Sequence, residues 1–178
     1  EGRPFMEYVT RELVRSGIDD IIFAVGYKGT MVEEYFGDGK QFGFCASYAY
    51  EETLLGTAGA IRNAGRFITE ERFFVLNADT FYQIDYTRLK RLLDSLDLNE
   101  KTEEARKGTI NGGIYLMRRS LMDTIPEGKV SLENDMIPRW LKEGKALGGF
   151  VNDGYFIDIG IPEAYRQFQE DVRNLVVI

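Results

Sequence analysis

Short β-prone apolar runs alternate along this chain with segments whose apolar residues recur every three or four positions. Few architectures accept that pattern, and an α/β fold on a mixed, mostly parallel sheet is the simplest. Phe5, Met6, Val9, Leu13 and Val14 mark a first helix that begins at Pro4 and stops at Gly17. Residues 18–25 then predict a strand, 30–36 a short helix, 42–50 a strand and 56–64 a helix. Residues 73–76 predict a strand, 86–96 a helix and 110–117 a strand. The pattern over 131–143 predicts a helix with Leu132, Met136, Ile137 and Trp140 inward, then strands at 146–151 and 155–157 and a helix at 162–172. The 178 residues suit one domain. A first helix with no strand before it leaves its apolar face unsupported, so a leading strand is expected before residue 1. The charged stretch from Leu98 to Lys107 interrupts the pattern, and a further segment is expected to be missing near 97–108.

Two absences narrow the chemistry. There is no histidine, which excludes a Ser-His-Asp triad, an imidazole base and a His-ligated metal within these residues. A single cysteine, Cys45, excludes an intrachain disulfide and a cysteine-rich zinc site. Cys45 lies in a strand-like run and is expected to be buried as a small hydrophobe. A net charge of −7 argues against nucleic acid as a partner. The apolar runs are too short to span a bilayer and no signal-peptide pattern opens the chain, which points to the cytoplasm. The apolar ending Leu175-Val176-Val177-Ile178 suggests a packed or paired C-terminus, as in a homo-oligomer.

The strand at 73–76 ends in Asn77-Ala78-Asp79-Thr80, which delivers a carboxylate where open α/β sheets bind ligands. Taken alone, Asp79 is most simply a turn or cap aspartate. Phe156-Ile157-Asp158-Ile159-Gly160 repeats the design. Two strand-end aspartates are best explained by a shared Mg²⁺ site, since magnesium takes one or two carboxylates plus substrate phosphates. Gly56-Thr57-Ala58-Gly59-Ala60 puts small residues at a helix start, which serves a ligand on the backbone or close helix-to-sheet packing. Glu51 offers two acceptors that match the adjacent N–H donors of guanine, although with Glu52 it also reads as a solvated acidic face. Asn111-Gly112-Gly113 suits sugar hydroxyls, or a hairpin turn. The many Phe and Tyr residues read as core.

Gly2-Arg3-Pro4-Phe5, Glu51 with Leu55 to Ala60, Leu76 to Thr80, Ile110 to Tyr115 and Phe156 to Glu163, taken in order, resemble the sugar-1-phosphate nucleotidylyltransferase family over nearly the whole chain. The wording of the last two motifs is most similar to D-glycero-α-D-manno-heptose 1-phosphate guanylyltransferases, with mannose-1-phosphate guanylyltransferases second. The resemblance implies a Rossmann-like nucleotidyltransferase (GT-A-like) three-layer sandwich. It implies transfer from a nucleoside triphosphate, with GTP favoured, to a sugar 1-phosphate, releasing pyrophosphate. Asp79 and Asp158 would hold Mg²⁺; Glu51, Gly56 and Thr57 would meet the nucleotide; Asn111, Gly112 and Glu163 would meet the sugar. The family's glycine-rich phosphate loop with its lysine, and a second lysine ahead of the Asn-Gly-Gly strand, have no counterpart here and are expected outside these residues. Thymidylyl or uridylyl transfer is the alternative within the enzyme class. A non-catalytic nucleotide-sugar-binding subunit is the alternative outside it.

Overall fold

A computed structural model describes residues 2–96 and 110–174. The expected gap near 97–108 and the apolar ending at 175–178 fall outside those residues. Along the chain run α1 (Phe5–Arg15), β1 (Asp20–Val25), α2 (Gly29–Phe36), β2 (Cys45–Tyr50), α3 (Gly56–Ala64) and β3 (Arg72–Leu76). There follow β4 (Thr80–Tyr82), α4 (Tyr86–Leu96), β5 (Ile114–Arg118), α5 (Ile137–Lys142), β6 (Phe156–Asp158) and α6 (Pro162–Arg173). A single π-turn, Leu132–Met136, leads into α5.

The alternation of side chains along each strand explains the layers. On β3, Phe73 and Val75 join a cluster that includes Ile61 of α3 and Trp140 of α5, while Phe74 and Leu76 pack with Leu13 of α1 and Phe36 of α2. Strand β1 does the same with Ile22 on one side and Ile21, Phe23 and Val25 on the other. Helices therefore cover both faces, as the apolar strand runs require. Burying a side chain such as Phe23 or Trp140 contributes about 1.5–3 kcal/mol apiece. A third cluster joins Phe5 and Val9 of α1 to Phe81 of β4 and Phe168 of α6. It ties the β4–β6 pair to the helices.

Strands pair two by two among the described residues. β1 and β2 are parallel, whereas β3 with β5 and β4 with β6 are antiparallel. The mixed α/β arrangement agrees with the sequence; parallel pairing is its lesser part among these strands. Three expectations need correction. Residues 146–151 form no strand, because Gly148 and Gly149 supply no side chains to pack and only Phe150 reaches the core. The helix expected from 131 divides into the π-turn and α5. Cys45 is exposed. It opens β2 opposite Asp20 and shares its face with Ala49, which is buried only further along the strand.

Candidate active site

The edge that carries the two aspartates is made by β4, a strand of only three residues that follows Asp79 directly. Thr80 pairs with Asp158 at the end of β6, and the Ile159 N–H donates to the Asp79 carbonyl at 2.8 Å. Antiparallel pairing thus sets the start of one strand beside the end of the other, and the carboxylates converge. A Cβ built on Gly160 would lie 3.0 Å from Asp158 Oδ1 and 3.9 Å from Asp79 Oδ2. Both oxygens border the space that glycine leaves open. The Gly160 N–H donates to Asp158 Oδ1 at 2.7 Å, and Thr80 Oγ1 lies 3.5 Å from Asp79 Oδ1. Both aspartates are exposed. No group of three or more acidic or cysteine side chains could hold a metal among the described residues. A pair of hard, exposed carboxylates fits a divalent cation that takes its remaining oxygens from phosphates and water.

Asn111, Gly112 and Gly113 form a turn against this edge rather than the start of the strand. A Cβ on Gly112 would strike the Tyr82 ring of β4 at 2.8 Å. Gly113 has φ +66°, and a Cβ there would meet Asn77 Nδ2 at 2.8 Å. The Asn77 N–H donates to the Gly113 carbonyl at 3.0 Å, so this turn and the Asp79 turn are fastened together. Asn111 Oδ1 accepts the Gly113 N–H at 3.0 Å, while Nδ2 donates to the Tyr115 hydroxyl at 2.7 Å.

The start of α3 is occupied by protein. The Val130 carbonyl accepts N–H groups of Ala58 and Gly59 at 3.0 and 3.3 Å. Gly56, with φ +69°, sits so near this segment that a Cβ would come within 2.6 Å of the same carbonyl oxygen. The Thr57 hydroxyl accepts the Leu132 N–H at 2.6 Å and donates to Glu133 Oε2 at 3.1 Å. Close packing, one of the two roles open to these small residues, is the one the fold displays. Glu51 follows β2; its Oε2 accepts the Leu55 N–H at 3.2 Å. Glu163, in the first turn of α6, pairs with Arg166 at 3.1 Å.

Glu133 was not singled out by the sequence, where it reads as an acid in the first turn of a helix. The structure makes it a hub: Oε1 accepts from Tyr115 at 2.8 Å and Oε2 from Thr57. Burial pushes its carboxyl up, but hydrogen bonds from Tyr115, Thr57 and Ser131 outweigh that and hold it below the usual glutamate range. Tyr115 is pushed up to about 12, chiefly by burial, with the Asn111 amide opposing and Glu133 adding to the rise.

The sequence profile of the family described as "Nucleotidyl transferase" matches residues 1–97. The chain belongs to that family. Among curated nucleotidyl transferases, D-glycero-alpha-D-manno-heptose 1-phosphate guanylyltransferase of Aneurinibacillus thermoaerophilus is 32% identical, over 99% of this chain and 88% of its own. The protein of the same name from Campylobacter jejuni is 35% identical over 93% of this chain and 85% of its own. Of solved nucleotidyl transferase folds, HddC from Yersinia pseudotuberculosis complexed with GMP-PN aligns with a TM-score of 0.77 and 28% identity, covering 96% of this chain and 86% of that one. The family and the fold class inferred from the motifs therefore hold, as does the enzyme class that goes with them.

Proposed function

We propose that this nucleotidyl transferase moves a guanylyl group from GTP to D-glycero-α-D-manno-heptose 1-phosphate, giving the GDP-sugar and pyrophosphate. The convergence of Asp79 and Asp158 beside Gly160 carries this reading. Asp79 and Asp158 would hold Mg²⁺, which when bound supplies charge neutralisation among the phosphates.

A phosphate oxygen of the sugar attacks the α-phosphorus of GTP in line with the departing pyrophosphate. One P–O bond forms as another breaks, and no covalent enzyme intermediate is needed. A phosphate monoester is already anionic at neutral pH, so the reaction asks for no histidine base, in keeping with a chain that has none. The protein's contribution is to position two anions against each other. Glu51 faces the guanine edge as a paired acceptor; Gly56 and Thr57, whose own contacts are taken up by residues 130–133, shape the nucleotide side without binding it through those groups. Asn111 and Gly112, fastened beside the Asp79 turn, take the sugar, with Glu163 near it.

The guanine assignment is supported by the acceptor pair of Glu51 and by the names of the two relatives. A thermal-shift series with GTP, dTTP, UTP, CTP and ATP tests it, and the largest stabilisation is expected from GTP. Pyrophosphate release from GTP with heptose, mannose and glucose 1-phosphates tests the acceptor, with heptose expected to lead. Equal response to every triphosphate would remove the role given to Glu51.

A further inference from the structure

The hydrogen bonds around Glu133 have only one consistent direction. The Gly113 N–H can only donate, so the atom of Asn111 facing it at 3.0 Å must be the amide oxygen. Nδ2 is thereby the atom on the Tyr115 hydroxyl at 2.7 Å, and that hydroxyl must accept there. Its single proton is then spent on Glu133 Oε1 at 2.8 Å. A carboxylate accepts only, which is what this end of the chain of bonds demands. The other oxygen of Glu133 takes the proton of Thr57, whose lone pair is engaged by the Leu132 N–H. One carboxylate therefore closes two chains of donors that begin on different elements, with Ser131 Oγ as a third, longer donor at 3.4 Å.

We infer that Glu133 is a positioning residue: by taking the Tyr115 proton it leaves that hydroxyl only able to accept from Nδ2, and so holds the Asn111 amide with Oδ1 on the Gly113 N–H and its remaining groups offered to the sugar. This rests on the proposal that Asn111 meets the sugar. Asn111 retains one N–H and one oxygen lone pair beyond these bonds, a donor and an acceptor held in a set order. With the amide turned over, Nδ2 would face the Gly113 N–H and the order would be reversed, so that a hydroxyl placed to accept from nitrogen would face oxygen. The depressed carboxyl of Glu133 keeps the arrangement charged throughout the neutral range.

Glu133→Gln separates this role from mere support. Glutamine can still accept from Thr57, but its amide offers a donor to Tyr115 and so sets the relay against the Gly113 N–H. Tyr115→Phe removes the middle link and leaves the Glu133–Thr57 bond in place. Each variant is expected to raise KM for the sugar 1-phosphate about tenfold, the loss of one hydrogen bond to a charged or oriented group. KM for GTP should stay within about twofold. The double variant should be no worse than either single one, because both cut the same chain.

Side-chain amide resonances of Asn111, assigned by their loss in Asn111→Ala, should shift in both variants of the whole protein. Unmoved resonances overturn the inference, whatever the enzyme's substrate. Moved resonances with an unchanged sugar KM overturn it too. If the wild-type protein turns over no sugar 1-phosphate, the proposed function fails, and the resonances alone decide whether Glu133 orients Asn111.

Discussion

The β4–β6 edge and the junction between α3 and residues 130–133 are both built from short polar segments, yet they use their polar groups in opposite ways. At the junction, Thr57 and Ser131 both donate to Glu133, and the helix start that could attract an anion is covered by the Val130 carbonyl. At the edge, Asp79 and Asp158 are exposed, and the backbone, not the carboxylates, holds the strands together. Groups consumed in holding a shape have little left for a ligand. Groups held by someone else's hydrogen bonds are available to one.

The sharpest way to break this contrast is Asp79→Ala. Turnover, followed as pyrophosphate release, is expected to fall by about 10²–10³ or more, while stability moves within about 0.5 kcal/mol, as for a surface side chain. Full activity would remove the edge from the chemistry. Next comes Gly160→Ala, whose methyl group would crowd Asp158 Oδ1 at 3.0 Å. Roughly a tenfold loss of turnover with little change in melting temperature is expected. Unchanged turnover would mean that the approach of the two carboxylates has no bearing on rate.

The junction should respond in the other currency. In Gly59→Ala the new Cβ would lie 2.6 Å from the Gly128 carbonyl oxygen and 2.9 Å from Leu55 Cβ. Overpacking of this kind costs about 1–3 kcal/mol, to be read from urea denaturation. A smaller loss would show that the 128–132 segment can withdraw from α3. The finest effect concerns Tyr115. Its raised pKa stabilises the folded state fully below pH 10.0 and loses that contribution as pH rises towards about 12. The stability difference between wild type and Tyr115→Phe should therefore shrink across that window and be flat through neutrality.

Strands β1, β2 and β3 and the helix at Pro162 were legible as elements because each rests on a local pattern of apolar residues or on a helix-start proline. The aspartates were legible as strand-end carboxylates, but what unites them was not. Strand β4 is too short for alternation to register, and its partner lies far along the chain. Glu133 was hidden for the same reason. Its partners Tyr115 and Thr57 are 18 and 76 residues away, and nothing local sets it apart from an ordinary acid of a first helical turn. Cys45 and residues 146–151 were misread because a run of small or apolar residues does not reveal whether another layer covers it.

The Thr80–Tyr82 ladder has three rungs, with Asp79 and Asp158 at one end and its middle residue, Phe81, buried in the third cluster. So short a ladder can open without the rest of the molecule unfolding. Whatever bridges the two aspartates at that end must also slow the opening, so ligand occupancy should be recorded in the amide exchange of Gln83 and Ile159, which donate across the pair, before any product is made.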